Sequence, residues 1–250
     1  MLNEGFRARF AFVVVALAAA ACQSAYYSAM EKLGYEKRDI LVDRVEDARE
    51  AQQAAKAQFE DALQQFIAVT DFSGGELERQ YEALSAAYEK SESRARAVRA
   101  RIADVERVAE DLFAEWTEEL EQYSSAELRR SSERQLAATR TRYRRLITAM
   151  RRAEKKLDPV LAAYRDRVLF LKHNLNARAI ASLRSERVKI ETDINALIAD
   201  MNRSIREADA FIRAMEPSAR KGAPAIVRRG YAPSAAGISA PGERQAPRSF

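Results

Sequence analysis

The chain has 250 residues, 32% of them charged and 47% hydrophobic, with one histidine and one cysteine. That mixture, rich in Ala, Glu, Arg and Leu, belongs to long helices and coiled coils, and it leaves too few His and Cys for most zinc sites or for a Cys–His dyad. The pI near 9.3 suggests nucleic acid until the charge is located. Residues 22–216 carry 34 basic against 35 acidic side chains, so the excess sits at the two ends and no nucleic-acid partner is expected.

Residues 1–21 have the three parts of a secretory signal. Arg7 and Arg9 form a positive n-region, Phe10 to Leu17 an apolar h-region, and Ala18 to Ala21 a small-residue stretch. The apolar run is well short of the ~20 residues that span a bilayer. Cys22 follows at once. The junction resembles a bacterial lipobox, in which the cysteine is acylated on sulfur and becomes the first residue of the mature chain. It departs from that pattern at Ala19, where Leu is usual. The competing reading is an ordinary signal peptide with Cys22 incidental. Gln23 after the cysteine implies the outer membrane in the Gram-negative sorting pattern, so the expected location is the cell envelope, facing the periplasm.

Beyond the anchor the apolar positions keep a heptad beat. The first segment gives Leu41, Val45, Ala48, Gln52, Ala55, Phe59, Ala62 and Phe66. The second runs from Leu77 through Tyr81, Leu84, Tyr88, Ser91, Ala95, Val98, Ile102, Val105, Ala109, Leu112 and Trp116 to Tyr123, slipping near Glu119 and Leu120. Two more follow: Thr139, Tyr143, Leu146, Met150, Ala153, Leu157, Val160 and Tyr164, then Leu183, Arg187, Ile190, Ile194, Leu197 and Met201. Alternating steps of three and four sustained this long describe coiled-coil seams. Trp116 and the tyrosines on the stripes are read as core, not as a ligand pocket.

Between Glu76 and Glu216 there is no glycine, and Pro159 is the only proline. Breaks fall at Asp71–Gly75, at Tyr123–Ala126, where either serine can N-cap the next helix, and at His173–Asn176. They are spaced about equally, which predicts an all-α, elongated, antiparallel four-helix coiled-coil bundle, up-down-up-down, over residues 22–216. Pro159 should strain the third arm, with Asp158 recapping the helix there.

Charge offers a check on the register. Residues 104–121 hold eight acids against Arg107, and residues 128–145 hold seven arginines against Glu133. Folding back at 124–125 opposes the two blocks, which is expected to neutralise the arginines. Arg94, Arg96, Arg99 and Arg101 likewise fold opposite Asp43, Glu46, Asp47 and Glu50. Residues 217–250 hold five of the six prolines and four of the eight glycines, so this basic tail is expected to be disordered.

No catalytic constellation emerges. Gly74-Gly75 lacks the remaining residues of a nucleotide loop, and a di-iron bundle needs Glu-x-x-His on two helices, which one histidine cannot supply. No metal, cofactor or catalytic residue is expected, and His173 is read as a turn residue.

Several segments carry a family resemblance: Cys22-Gln23-Ser24-Ala25-Tyr26-Tyr27, Lys37-Arg38-Asp39-Ile40-Leu41-Val42-Asp43-Arg44-Val45, Gly74-Gly75-Glu76-Leu77, Leu128-Arg129-Arg130-Ser131-Ser132-Glu133-Arg134 and Leu171-Lys172-His173-Asn174-Leu175-Asn176-Ala177-Arg178. With these, residues 22 to about 213 resemble the bacterial lipoprotein family known as Domain of Unknown Function 2959. The resemblance implies a lipoprotein and no particular activity. The Pro/Gly/Arg tail departs from the family pattern.

The functional expectation is a non-enzymatic envelope scaffold or adaptor. The alternative is a module that binds anionic lipid or cell-wall polymer through the basic tail. A convergent acid, base or metal cluster would instead revive an enzyme. If a partner protein binds, the expected place is the anchor-distal tip, with Phe72 as apolar anchor and Lys172, His173 and Arg178 as polar rim.

Overall fold

The structure is a computed structural model that describes residues 37–72, 74 and 76–215. The expected signal segment at 1–21, Cys22, Gln23 and the 217–250 tail expected to be disordered lie outside the described residues. Five helices follow in order: α1 (Lys37–Thr70), α2 (Leu77–Glu119), α3 (Ala126–Lys155), α4 (Leu157–His173) and α5 (Ala177–Met215). A 3-10 turn at Leu120–Gln122 extends α2. It falls where the heptad beat slips and turns Leu120, rather than Glu119, into the core.

α3 and α4 together make the third arm, so the unit is the expected four-arm antiparallel bundle. α1 packs on α2 and α5, and the third arm packs on the same two helices. Cross-helix contacts fix each register. Asp47 on α1 meets Arg101 on α2 at 3.5 Å. Glu106 on α2 takes Arg151 on α3. Asp200 on α5 meets Arg152 at 3.0 Å, and Asp209 meets Arg49 at 3.1 Å. The last pair closes the ring, and the Arg38 guanidinium donates to the Met215 carbonyl beside it. α2 has 43 residues, roughly 65 Å of helix at 1.5 Å per residue.

The core follows the seams. Leu41, Val45, Phe66, Leu84, Ile102, Leu146, Met150, Leu157, Leu171, Leu197 and Met201 are buried. Periodicity worked because a residue every three or four positions returns to the same helix face. Tyr123 is the exception on its stripe, exposed beyond the 3-10 turn, where the helical period has ended. Tyr164 is buried among Phe66 and Tyr88, both with ring centroids 6.2 Å away, and its hydroxyl donates to the Ala62 carbonyl at 2.5 Å. Burial pushes its phenol pKa well up. Apart from Tyr123, the stripe tyrosines and Trp116 are thus core or core-edge residues, and the Trp116 indole N–H donates to Ser132 Oγ at 2.8 Å.

Two core positions are polar without partners. Gln52 and Ser204 are wholly buried, and neither the Gln52 amide atoms nor the Ser204 hydroxyl has a hydrogen-bond partner among the described residues. The register set by Arg49 and Asp209 brings them within about one turn of each other on facing helices.

The turns behave as their residues dictate. Gly74 takes φ +156°, a region that glycine enters without penalty. Ser125 is the N-cap of α3, its hydroxyl accepting from the Leu128 N–H at 3.3 Å. Asn176 Oδ1 accepts from the Ala179 N–H at 3.0 Å and so caps α5.

The third arm corrects one expectation. Asp158 does not recap the helix; it sits in the first turn of α4 and pairs with Arg99 on α2. The break lies at Lys156, because Pro159 has no N–H for the Lys155 carbonyl and its ring crowds that group. Pro159 is then tolerated in the first turn of α4, where N–H groups have no intrahelical acceptor.

Charge pairing corrects another. The blocks do oppose each other, but only Arg129 among the seven arginines reaches an acid of 104–121, Glu121 at 2.9 Å. Of the first-turn set, Arg101 meets Asp47, whereas Arg99 turns to Asp158 and Arg96 to Glu92 of its own helix. Long side chains on a solvated face choose among several acids, so opposed blocks set register without dictating partners.

Candidate functional site

The end of the bundle opposite Arg38 and Met215 gathers two turns. After α1, the Asp71 N–H donates to the Ile67 carbonyl at 2.9 Å and the Phe72 N–H to the Val69 carbonyl at 3.3 Å, which ends the helix. The Thr70 carbonyl accepts from Arg184 Nε at 2.9 Å, and both Asp71 carboxylate oxygens take Arg187 Nη1, at 2.8 and 2.9 Å. Two arginines of α5 therefore clamp the first turn. After α4, Asn174 Nδ2 donates to the Phe170 carbonyl at 2.9 Å, holding the helix C-terminus.

The structure brings the sequence-derived tip residues to this one end without joining them. Phe72 is half-buried, while Lys172, His173 and Arg178 are exposed. Among the described residues no hydrogen bond or ion pair links Phe72 to the other three. Sequence reasoning missed the arginine clamp: Arg187 stood on the α5 stripe as a misfit, which was the available signal. It also missed the exposed apolar side chains of this end, Leu169, Phe170 and Leu175. They stand off the seam beside core positions Val168 and Leu171.

A second feature lies between α2 and α3, where an open groove of about 530 Å³ is lined by Phe113, Leu120, Leu136 and Tyr143 with Arg140 and Arg144 at the rim. Phe113 and Tyr143 meet edge to face at 5.4 Å. Arg140 lies over the Phe113 ring at 5.5 Å and donates to the Phe113 carbonyl at 3.1 Å and Thr117 Oγ1 at 2.7 Å. Its charge is already engaged. Burial, reinforced by Glu106, pushes the Tyr143 phenol to about 12, with Arg151 opposing the shift, so it stays a neutral wall.

A third is the outward face of α3. The helix carries ten basic against three acidic residues. Arg130, Arg134, Arg142 and Arg145 are exposed and, among the described residues, have no acidic partner within 4 Å. Among the described residues Arg144 donates only to Thr141 Oγ1, at 3.2 Å.

One carboxylate is held tightly at the third-arm break. Asp200 has a side chain only 8% exposed, and meets Lys156 Nζ at 2.7 Å and Arg152 at 3.0 Å. Burial alone raises its pKa, but Lys156 and then Arg152 more than offset this and hold it below the ordinary carboxylate range. Both partners spring from the segment that Pro159 breaks, which makes the site a structural clasp. Among the described residues no three His, Cys, Asp or Glu side chains converge as a metal-binding group, and no helix is long and apolar enough to cross a membrane.

Among the described residues, fold and surface define a class: a long antiparallel helical bundle whose distinctive residues lie on turns and outer faces. The chain matches the model of the family described as protein of unknown function (DUF2959) over residues 26–215, and it belongs to that family. No curated protein matches it.

Proposed function

We propose that this protein is a non-enzymatic envelope lipoprotein, a rigid helical scaffold or adaptor tethered through lipid on Cys22 at the periplasmic face of the outer membrane. The observation that carries the reading is the placement of the ends. Arg38 lies beside Met215 at one end of the bundle, while the turns at 71–76 and 174–176 lie at the other. A chain anchored through residue 22 then presents those turns away from the membrane by the length of the arms. Exposed Leu169, Phe170 and Leu175, with Lys172, His173 and Arg178, give that end the mixture of apolar centre and polar rim that protein contacts use. Phe72 contributes the exposed part of its ring.

The test is crosslinking in intact envelopes with wild type, Phe72→Ser and Arg178→Ala, after confirming unchanged helicity and melting. Loss of a crosslinked protein in either variant supports a distal contact. Survival of every crosslink in both refutes it.

A second reading assigns binding to the basic tail, on anionic lipid or cell-wall polymer. It is favoured by the position of Met215, the last described residue before the tail in sequence, at the end where α1 begins. Lipid plus basic charge makes a two-signal anchor. Deleting residues 217–250 separates the readings, because only the binding module then loses envelope association beyond what the lipid supplies.

A further inference from the structure

α3 has two faces. Its core face carries Ser132, Leu136, Thr139, Leu146, Met150 and Ala153, all buried. At 100° per residue, Arg130, Arg134, Arg145 and Arg152 fall within roughly 60° of one another on the opposite side. Arg142 and Arg144 flank them, and Lys155 ends the row. From Arg130 to Lys155 it runs ~38 Å at 1.5 Å per residue. Arg152 is committed to Asp200, and the rest are not held by acids among the described residues. Two acids of the neighbouring arm are turned away from the row: Glu115 meets Lys37 at 2.9 Å, and Glu106 takes Arg151.

Self-repulsion along such a row destabilises the helix, since like charges at i,i+4 cost a few tenths of a kcal/mol per pair. A polyanion relieves that repulsion and releases its own counterions. The chemistry of the face narrows the choice. Between the arginines stand Ala137, Ala138 and Thr148, exposed and small. The only large apolar side chain exposed on α3 among the described residues is Leu128, at the far N-terminal end. A protein interface needs a desolvated apolar centre, which this face lacks. Membrane insertion needs an apolar stripe in the headgroup layer, and single-stranded nucleic acid needs exposed aromatic platforms. What remains is a hydrophilic chain of phosphates running beside the helix, whose paired oxygens suit guanidinium forks.

We propose that the outward face of α3, through Arg130, Arg134, Arg142 and Arg145, binds a linear, hydrophilic, phosphate-bearing polymer. This surface is distinct from both the distal tip and the basic tail.

The test uses the full chain and long-chain inorganic polyphosphate as probe, titrated at several salt concentrations against a variant with Arg130→Gln, Arg134→Gln, Arg142→Gln and Arg145→Gln. The substitutions are exposed and helix-compatible, so the circular dichroism melt should match wild type. Each lost phosphate contact flattens the log-affinity against log-salt slope by about 0.7 on a single chain, so four should flatten it by about 3 and weaken binding more than tenfold near 0.1 M salt. Equal affinity and slope in the two proteins would overturn the proposal and leave the tail as the sole anion binder. So would tighter arginine-dependent binding, at matched charge and salt, to vesicles of phosphatidylglycerol in phosphatidylcholine, to duplex DNA, or to polyglutamate. Those outcomes would name a membrane, a nucleic acid or an acidic protein instead.

Discussion

Gln52 offers the sharpest test of the packing. Its side chain is wholly buried between seam residues Ala48 and Ala55, and neither amide atom has a partner among the described residues. An amide moved from water into such a place without compensation costs about 1–3 kcal/mol on protein mutational scales. Leucine has nearly the same volume, so Gln52→Leu removes that cost without leaving a cavity or overpacking the layer. The variant should therefore be more stable by about 1–3 kcal/mol. For a bundle of this size each kcal/mol moves Tm by about 2–4 °C, so the midpoint should rise by about 2–12 °C. Ser204→Ala should act in the same direction with a smaller effect. Helical ellipticity at 222 nm, followed through heat and urea with an unchanged urea m-value, reads the change. A Gln52→Leu protein that melts at or below the wild-type midpoint would refute the reasoning, because the amide would then have to be satisfied, for example by internal water bridging it to Ser204.

Two further outcomes follow from single interactions. Tyr164→Phe deletes the hydroxyl that donates to the Ala62 carbonyl and should cost about 1 kcal/mol in urea unfolding, with the aromatic packing kept; no loss would mean the bond contributes nothing net. Asp200→Asn should cost about 1 kcal/mol at pH 7, after discounting for the partly exposed Arg152 and Lys156. The folded pKa of Asp200 is depressed, so its contribution is present above the unfolded value of about 3.9 and disappears as pH falls through the folded one. The gap between variant and wild type should close below about pH 4, and a gap that persists there would contradict the pairing.

The arms were legible because nothing between Glu76 and Glu216 except Pro159 interrupts a period of three and four. The turns were legible because Gly74, Ser125 and Asn176 are residues with local conformational or capping roles. The break at Lys156 was displaced from its cause, since a proline disturbs the carbonyl four residues earlier rather than its own position. Side-chain commitments were not legible: heptad spacing says that 104–121 faces 128–145, but not that Arg140 turns to the Phe113 carbonyl while Arg130 and Arg134 stay unpaired. Arg184 and Arg187 were hidden for the same reason, as their partners Thr70 and Asp71 are more than a hundred residues away. Leu169 and Phe170 escaped because a stripe analysis records what lies on the seam, not what is exposed beside it.

The claim on which the proposed function rests is a lipid tether at Cys22, and intact-mass analysis of the protein extracted from the envelope tests it most directly. The account predicts a chain of residues 22–250 whose mass exceeds the polypeptide by an acylated diacylglyceryl group, with the added mass localised to the N-terminal cysteine peptide. A mature chain that starts elsewhere, or one that starts at Cys22 and carries no lipid, would contradict it.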